Sequence, residues 1–301
     1  MKTHAFLFVQ NLEESLQTGS IVVAFQGVHG ANSDQAIRQH FGDIIETLPC
    51  ESFNNVFEAV ESGQAKYGLL PVENSLAGTV ANSYELLMDY DLRIQAEVIM
   101  RIRYALLGIP GTTLADVKRA RSHPQSLAQC GRYLTRRGIE PVAWFDNAGS
   151  ARDLAAHPEP NTAAIAPPLA GKLYGLDTLD QGIEDESFNY TRFFVLGFDD
   201  PPPGERNKTS IVFAALRDRP GVLWECLGEF ATRGINMTKI ESRPRRNKPW
   251  QYNFFVDFDG HFKEPNCEAA LIALLRRAAS LKLLGSYPEA HLPDEEKTEN
   301  S

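Results

Sequence analysis

Four short polar phrases, Gly27 to Ser33, Pro71 to Ser75, Ser122 to Cys130 and Asn189 to Phe193, hold most of the residues able to do chemistry. Hydroxyls and amides dominate them, a composition suited to binding and polarising the oxygens of a small molecule. Asn74 and Ser75 can donate to substrate oxygens, and Glu73 can orient a donor or hold a proton. The plainer reading of these three is a helix-capping turn. Gly78 in the same loop permits close backbone approach. Ser126 is placed to begin a helix that carries Gln129, and a helix N-terminus is a good carboxylate site. Ser122 and Gln129 rank above His123 as ligands, because a lone histidine is more often structural. Thr191 carries a hydroxyl that is a poor acid and polarises rather than donates. Alone it reads as a strand-start residue; the company of the other phrases favours the chemical reading. Its neighbour Arg192 can anchor a carboxylate or pair internally, and Ser33 and Asn189 complete the candidate set.

No cofactor is expected. There is neither a Gly-x-Gly-x-x-Gly fingerprint nor a P-loop. Cys50, Cys130, Cys226 and Cys267 stand far apart, so free buried thiols are expected rather than disulfides or a metal site. A net charge of −9 argues against nucleic acid, and Arg243 to Lys248 reads as a solvated loop between strands. No apolar run reaches the roughly 20 residues of a membrane helix. Ala5 to Val9 is too short for a signal-peptide core, so the cytoplasm is the expected location.

Each phrase needs an element to place it, and from Ile21 the chain alternates strand and helix. Strands are predicted over Ile21 to Phe25, Tyr67 to Val72, Ile94 to Leu107, Arg119 to Ser122, Pro141 to Phe145 and Thr191 to Phe198. Helices are predicted over Ser33 to Phe41, Phe53 to Val60, Thr79 to Tyr90, Ser126 to Arg137 and Ala148 to His157. This predicts an α/β architecture with mainly parallel sheets, two lobes and a cleft. The phrases fall at strand ends, where open α/β sheets bind ligands. Pro201 to Lys208 is the clearest linker, stiffened by three prolines.

Beyond the linker a strand over Thr209 to Leu216 is followed by a helix with an apolar stripe from Val222 to Ala231. Then come strands over Ile235 to Arg243 and Trp250 to Phe258, a helix over Glu268 to Lys282 and a last strand over Leu283 to Tyr287. The order βαββαβ is a ferredoxin-like module. The expected domains are 20–198 and 207–287, with 1–19 and 288–301 as flexible termini.

Gly221, Val222 and Leu223, followed by Glu241-Ser242-Arg243-Pro244, resemble the phenylalanine-binding version of the ACT domain. The four upstream phrases, in their order, resemble prephenate dehydratase over residues 21 to about 285, with Glu73-Asn74-Ser75 and Thr191-Arg192-Phe193 the specific marks. The resemblance implies a periplasmic-binding-protein-like catalytic domain that converts prephenate to phenylpyruvate without a cofactor. It implies that Thr191 acts on the departing hydroxyl. It further implies that phenylalanine binds where two copies meet, in a homodimer or homotetramer. Backbone amides near Val222 and Leu223 would meet the effector's carboxylate and Asn236 its ammonium, beside Glu241, Ser242, Arg243 and Pro244. Where many members carry Gly-Thr-Phe-Ser, this chain has Gly30, Ala31, Asn32 and Ser33, nearer to arogenate dehydratases, so prephenate and arogenate both stay open as substrates. About twenty residues precede the first strand, from which a single activity is expected. A solute-binding protein and an amino-acid-responsive regulator are the competing classes. Enzyme cut after Lys208 is expected to work and to ignore phenylalanine.

Overall fold

Val23, Ala24 and Phe25 are fully buried in a strand over Val22–Gln26 (β1), as a central parallel strand requires. The computed structural model describes residues 21–217, 219–246 and 248–292. The expected flexible termini lie outside these residues, apart from 288–292. After β1 come α1 (Asn32–Phe41), β2 (Glu46–Cys50), α2 (Phe53–Glu61), β3 (Tyr67–Asn74), β4 (Gly78–Thr79), α3 (Ala81–Asp89) and β5 (Arg93–Arg101). The second series is β6 (Ala105–Gly108), β7 (Arg119–Ser122), α4 (Pro124–Gln129), α5 (Gly131–Arg137), β8 (Glu140–Ala143), α6 (Asn147–Ala156), β9 (Thr162–Ala166), α7 (Pro168–Tyr174) and β10 (Asp177–Gln181). A return strand, β11 (Tyr190–Gly197), follows.

The first sheet has the order β2-β1-β3-β11-β5, with β4 on β3, and β1 runs parallel to both β2 and β3. The second has the order β10-β6-β9-β7-β8. There β7 is parallel to β8 and β9, whereas β6 is antiparallel to β9 and β10. The sheets are therefore mixed rather than mainly parallel. Side-chain caps hold two of the helices: Ser52 accepts from the Asn55 amide ahead of α2, and Asp146 accepts from the Gly149 amide ahead of α6.

The third sheet is the antiparallel β13-β14-β12-β15, built from β12 (Asn207–Ala215), β13 (Met237–Arg245), β14 (Lys248–Asp259) and β15 (Ala278–Pro288). Helices α8 (Val222–Ala231) and α9 (Pro265–Leu275) cover one face, where Ile211, Phe213, Val256 and Phe258 meet Cys226, Phe230, Cys267 and Leu274. This is the βαββαβ order.

By its internal contacts the chain forms two compact units. One holds the described residues up to Ser83 with Val98–Phe193; the other holds Tyr84–Glu97 with Phe194–His291. The second unit thus combines the ferredoxin-like module with most of α3 and half of β5. Inside it Tyr84 packs edge-on against Phe255 at 5.0 Å, and Lys208 donates to the buried Glu97 at 2.8 Å. Arg246 pairs with Glu85 and Asp89, both at 2.7 Å.

Several boundaries differ from the sequence reading for identifiable reasons. The helix expected over Ser126 to Arg137 breaks in two because Cys130 leaves helical backbone, with φ −115° and ψ 17°. The strand expected over Ile94 to Leu107 is two strands in different sheets. Helix α9 stops at Leu275, because Ala278 onward pairs along β12 and that pairing overrides helix propensity. Thr79 pairs with β3, so α3 starts two residues later than expected. The basic run is not simply a solvated loop, since Arg243 to Arg245 belong to β13. The edge strands β2 and β10 carry too little buried apolar surface to announce themselves. Among the described residues no helix is long and apolar enough to cross a membrane.

Candidate active site

A cavity of about 420 Å³ opens where the loops after β1, β3 and β7 converge with the start of β11. Its first wall is Gln26, Ala31, Asn32 and Ser33, followed by Asn74, Gly78 and Thr79. The facing wall is Tyr104, His123, Ser126, Gln129, Asp146 and Asn147, with Thr191 and Phe193 at the base. The loop after β1 is held by the buried Asp34, which accepts from the Gly30 amide at 2.8 Å and pairs with Arg38 at 3.2 Å. Gly30 has φ +84°, and a Cβ there would come within 2.9 Å of the Ala170 Cα. Only glycine fits both constraints.

The electrostatics are set by few groups. Among the lining residues the only carboxylate is Asp146, and none is Lys or Arg. Burial raises the Asp146 pKa; the α6 amides and the His123 imidazole pull against that rise. His123 accepts from the Gln125 amide at Nδ1, 3.2 Å away, so its neutral form carries the proton on Nε2. The Tyr104 phenol, buried and accepting from the Ser126 hydroxyl at 3.0 Å, is pushed up to about 12 and stays protonated.

The base of the cavity carries a directed network. The Leu76 and Ala77 amides donate to Asn74 Oδ1 at 3.1 and 2.9 Å. That fixes Asn74 Nδ2 on the other side, where it donates to Thr191 Oγ1 at 3.0 Å, to Asn189 Oδ1 at 2.7 Å and to the Tyr190 carbonyl at 3.1 Å. Because Thr191 Oγ1 accepts from Asn74, its own hydrogen is not used in that bond and is available to another acceptor. Asn74 itself has no donor left for a substrate.

Of the residues singled out in the sequence, Ser33, Asn74, His123, Gln129 and Thr191 line the cavity. Five do not. Alternation along β3 and β11 turns Asn74 and Thr191 inward, while Glu73 and Arg192, one residue away, pair with each other at 3.9 Å. The Ser75 hydroxyl donates to the Phe188 carbonyl and accepts from the Tyr190 amide. The Ser122 hydroxyl is fully buried and donates to the Ile165 carbonyl, tying β7 to β9. Asn189 lies behind Asn74, 1% exposed. Sequence reasoning passed over Tyr104, Asp146 and Asn147. The cap position of Asp146 was a usable signal; nothing local marked Tyr104.

In the second unit, Gly221 takes the left-handed conformation, φ 81°, that starts α8, and Val222 and Leu223 pack on the core below. Glu241 and Arg243 share one face of the edge strand β13, 3.7 Å apart, with Arg243 also 4.0 Å from Glu85. Ser242 and Pro244 are exposed on the opposite face. Asn236 Nδ2 donates to Asp259 at 2.9 Å, which leaves Asn236 Oδ1 as an acceptor. Among the described residues no three of His, Cys, Asp or Glu converge on a metal site.

Comparison with known proteins gives a consistent picture. The family model "Prephenate dehydratase" matches residues 23–201, and the model "ACT domain" matches 209–276. An Arabidopsis thaliana chloroplastic arogenate dehydratase/prephenate dehydratase is 42% identical over 289 residues, covering 92% of this chain and 75% of that protein. A bifunctional chorismate mutase/prephenate dehydratase from Pseudomonas aeruginosa is 40% identical, covering 90% and 74%. Among solved structures, prephenate dehydratase from Arthrobacter aurescens, in complex with L-Phe, aligns with a TM-score of 0.82 at 31% identity, covering 91% and 94%. A structure described as a novel type of quorum quenching acylase aligns at 0.84 with 38% identity, covering 91% and 99%.

Proposed function

Since this chain belongs to the prephenate dehydratase family and carries an ACT domain behind its catalytic part, we propose that its cavity decarboxylates and dehydrates prephenate. Prephenate bears a ring carboxylate and, across the ring, a hydroxyl. As the carbon–carboxylate bond breaks, its electron pair enters the ring, the carbon–oxygen bond breaks, and CO2 and hydroxide depart. Hydroxide takes up one proton to become water, and the product is phenylpyruvate. Aromatisation drives the reaction, so the protein has to orient the substrate and stabilise the departing oxygen.

The observation that carries this reading is the hydroxyl of Thr191, which lines the cavity and accepts from Asn74, leaving its hydrogen available for a substrate oxygen. Gln129, Ser33 and the His123 Nε2–H are among the donors that line the cavity and can meet the substrate's oxygens. Thr191→Ala is expected to lower kcat by roughly 10²–10³-fold with a small change in KM, the usual loss for one transition-state donor. Phenylpyruvate formed from prephenate, read by absorbance in alkali, measures it. Near-normal turnover in a folded variant would remove Thr191 from the chemistry.

A second substrate is favoured by a specific observation. Ala31 lines the cavity where a threonine hydroxyl would otherwise sit, and Asp146 supplies a carboxylate able to meet an ammonium group. Arogenate, the aminated analogue, fits that pairing. Ala31→Thr should raise the ratio of kcat/KM for prephenate over arogenate, and an unchanged ratio would count against the reading.

Phenylalanine is the effector of the ACT module. Its carboxylate would meet the amides at Val222 and Leu223, and its ammonium the Asn236 Oδ1 beside Asp259. The exposed edge of β13, with Ser242 and Pro244 outward, supports assembly of two copies, and a homodimer is the smallest such state.

A further inference from the structure

Asn189 is 1% exposed, and its two side-chain polar atoms are treated differently. Oδ1 accepts the shortest of the Asn74 Nδ2 contacts, 2.7 Å. Nδ2 has no hydrogen-bond partner among the described residues. A buried amide with an idle donor normally costs stability without return. Reversing the amide would set Nδ2 against Asn74 Nδ2, donor against donor, because the Leu76 and Ala77 amides forbid Asn74 to turn. The site therefore uses the oxygen of Asn189 and tolerates its nitrogen.

We propose that Asn189 is a positioning residue whose side-chain oxygen anchors Asn74, and that Asn74 in turn sets the direction of the Thr191 hydroxyl hydrogen. The logic is geometric. Asn74 Nδ2 has two hydrogens and three acceptors within 3.1 Å. With Asn189 Oδ1 holding one hydrogen, the other falls to Thr191 Oγ1, shared with the Tyr190 carbonyl. Thr191 then has one lone pair occupied and its hydrogen free for the departing hydroxyl. Without the anchor, Asn74 is free to satisfy the Tyr190 carbonyl alone. The Thr191 hydroxyl then loses its donor and can turn its own hydrogen to a neighbouring carbonyl. Asn189 is absent from the cavity wall, so it acts on turnover and not on substrate affinity. This role rests on the assignment of Thr191 made above.

The test is a double-mutant cycle on the full chain with prephenate as substrate. Asn189→Leu, close in volume and without an acceptor, is expected to lower kcat by about 10–100-fold, less than the roughly 10²–10³-fold lost with a transition-state donor itself, while KM stays within twofold. Asn189→Asp keeps an oxygen facing Asn74 and should recover at least tenfold of that loss. In a Thr191→Ala background, Asn189→Leu should cost less than about threefold further, because its effect passes through the missing hydroxyl. Asn74→Asp supplies an independent arm should the leucine variant fold poorly. It retains the acceptor for the Leu76 and Ala77 amides but draws the Thr191 hydrogen to itself, so kcat should fall as far as in Thr191→Ala. A raised KM with normal kcat in Asn189→Leu, equal losses in the leucine and aspartate variants, full additivity with Thr191→Ala, or normal turnover in Asn74→Asp would each overturn the proposal. If Thr191→Ala alone leaves kcat unchanged, the catalytic assignment fails first; if it is damaging but the losses add, only the anchor fails.

Discussion

The most useful distinction at the scale of single residues is between neighbours on one strand. Asn74 faces the cavity and Glu73 does not; Thr191 faces it and Arg192 does not. The pleat decides, and it separates an ion pair on the outer side from a donor network on the inner one. The same scale yields a pH prediction far from the cavity. His40 sits edge-on to Phe41 at 4.7 Å, and burial lowers its pKa from 6.5 to about 4. Between those values the unfolded chain binds a proton that the folded chain refuses. Stability therefore falls as pH drops from 6.5 towards 4, by about 1 kcal/mol per pH unit at most from this group. Melting temperatures over that range should drop less steeply in His40→Gln than in the parent chain. Parallel profiles would mean that His40 titrates normally in the fold.

Elements explain what the sequence made legible and what it hid. The phrases at the ends of β1, β3, β7 and β11 were readable because buried strands announce themselves and polar residues follow them. The module βαββαβ was readable from periodicity alone. Hidden were pairings settled by distant partners: β2 and β10 at sheet edges, the break at Cys130, and β15, which begins at Ala278, well before the expected Leu283. Also hidden was Tyr104, which reaches the cavity from the junction of β5 and β6 with no local mark. The most consequential miss is the membership of α3 and β5. Because Tyr84 and Ile94 are buried within the same unit as β12 to β15, and Tyr84 packs on Phe255, removing everything after Lys208 does more than remove an effector site. The truncated chain should aggregate or melt well below the full chain, since burial of one large side chain is worth about 1.5–3 kcal/mol. Thermal denaturation of both chains checks this. A truncated chain as stable as the parent would restore the simpler expectation of a separable enzyme.

For the molecule as a whole, the residues proposed for the chemistry and those proposed for the effector fall in different compact units. α3, β5 and β11 run from one unit into the other. A chain with net charge −9 binds an anionic substrate without a single lysine or arginine in the cavity lining. On the proposed reading, binding rests on hydroxyls, amides and one imidazole, and turnover on which way one hydroxyl hydrogen points. The central claim is that Thr191 works through its hydroxyl rather than through its shape, and the turnover of Thr191→Ser beside Thr191→Val tests it most directly. Serine keeps the hydroxyl and should retain kcat to within about tenfold, whereas valine keeps the shape and should lose roughly 10²–10³-fold. Equal turnover in the two variants would contradict the account.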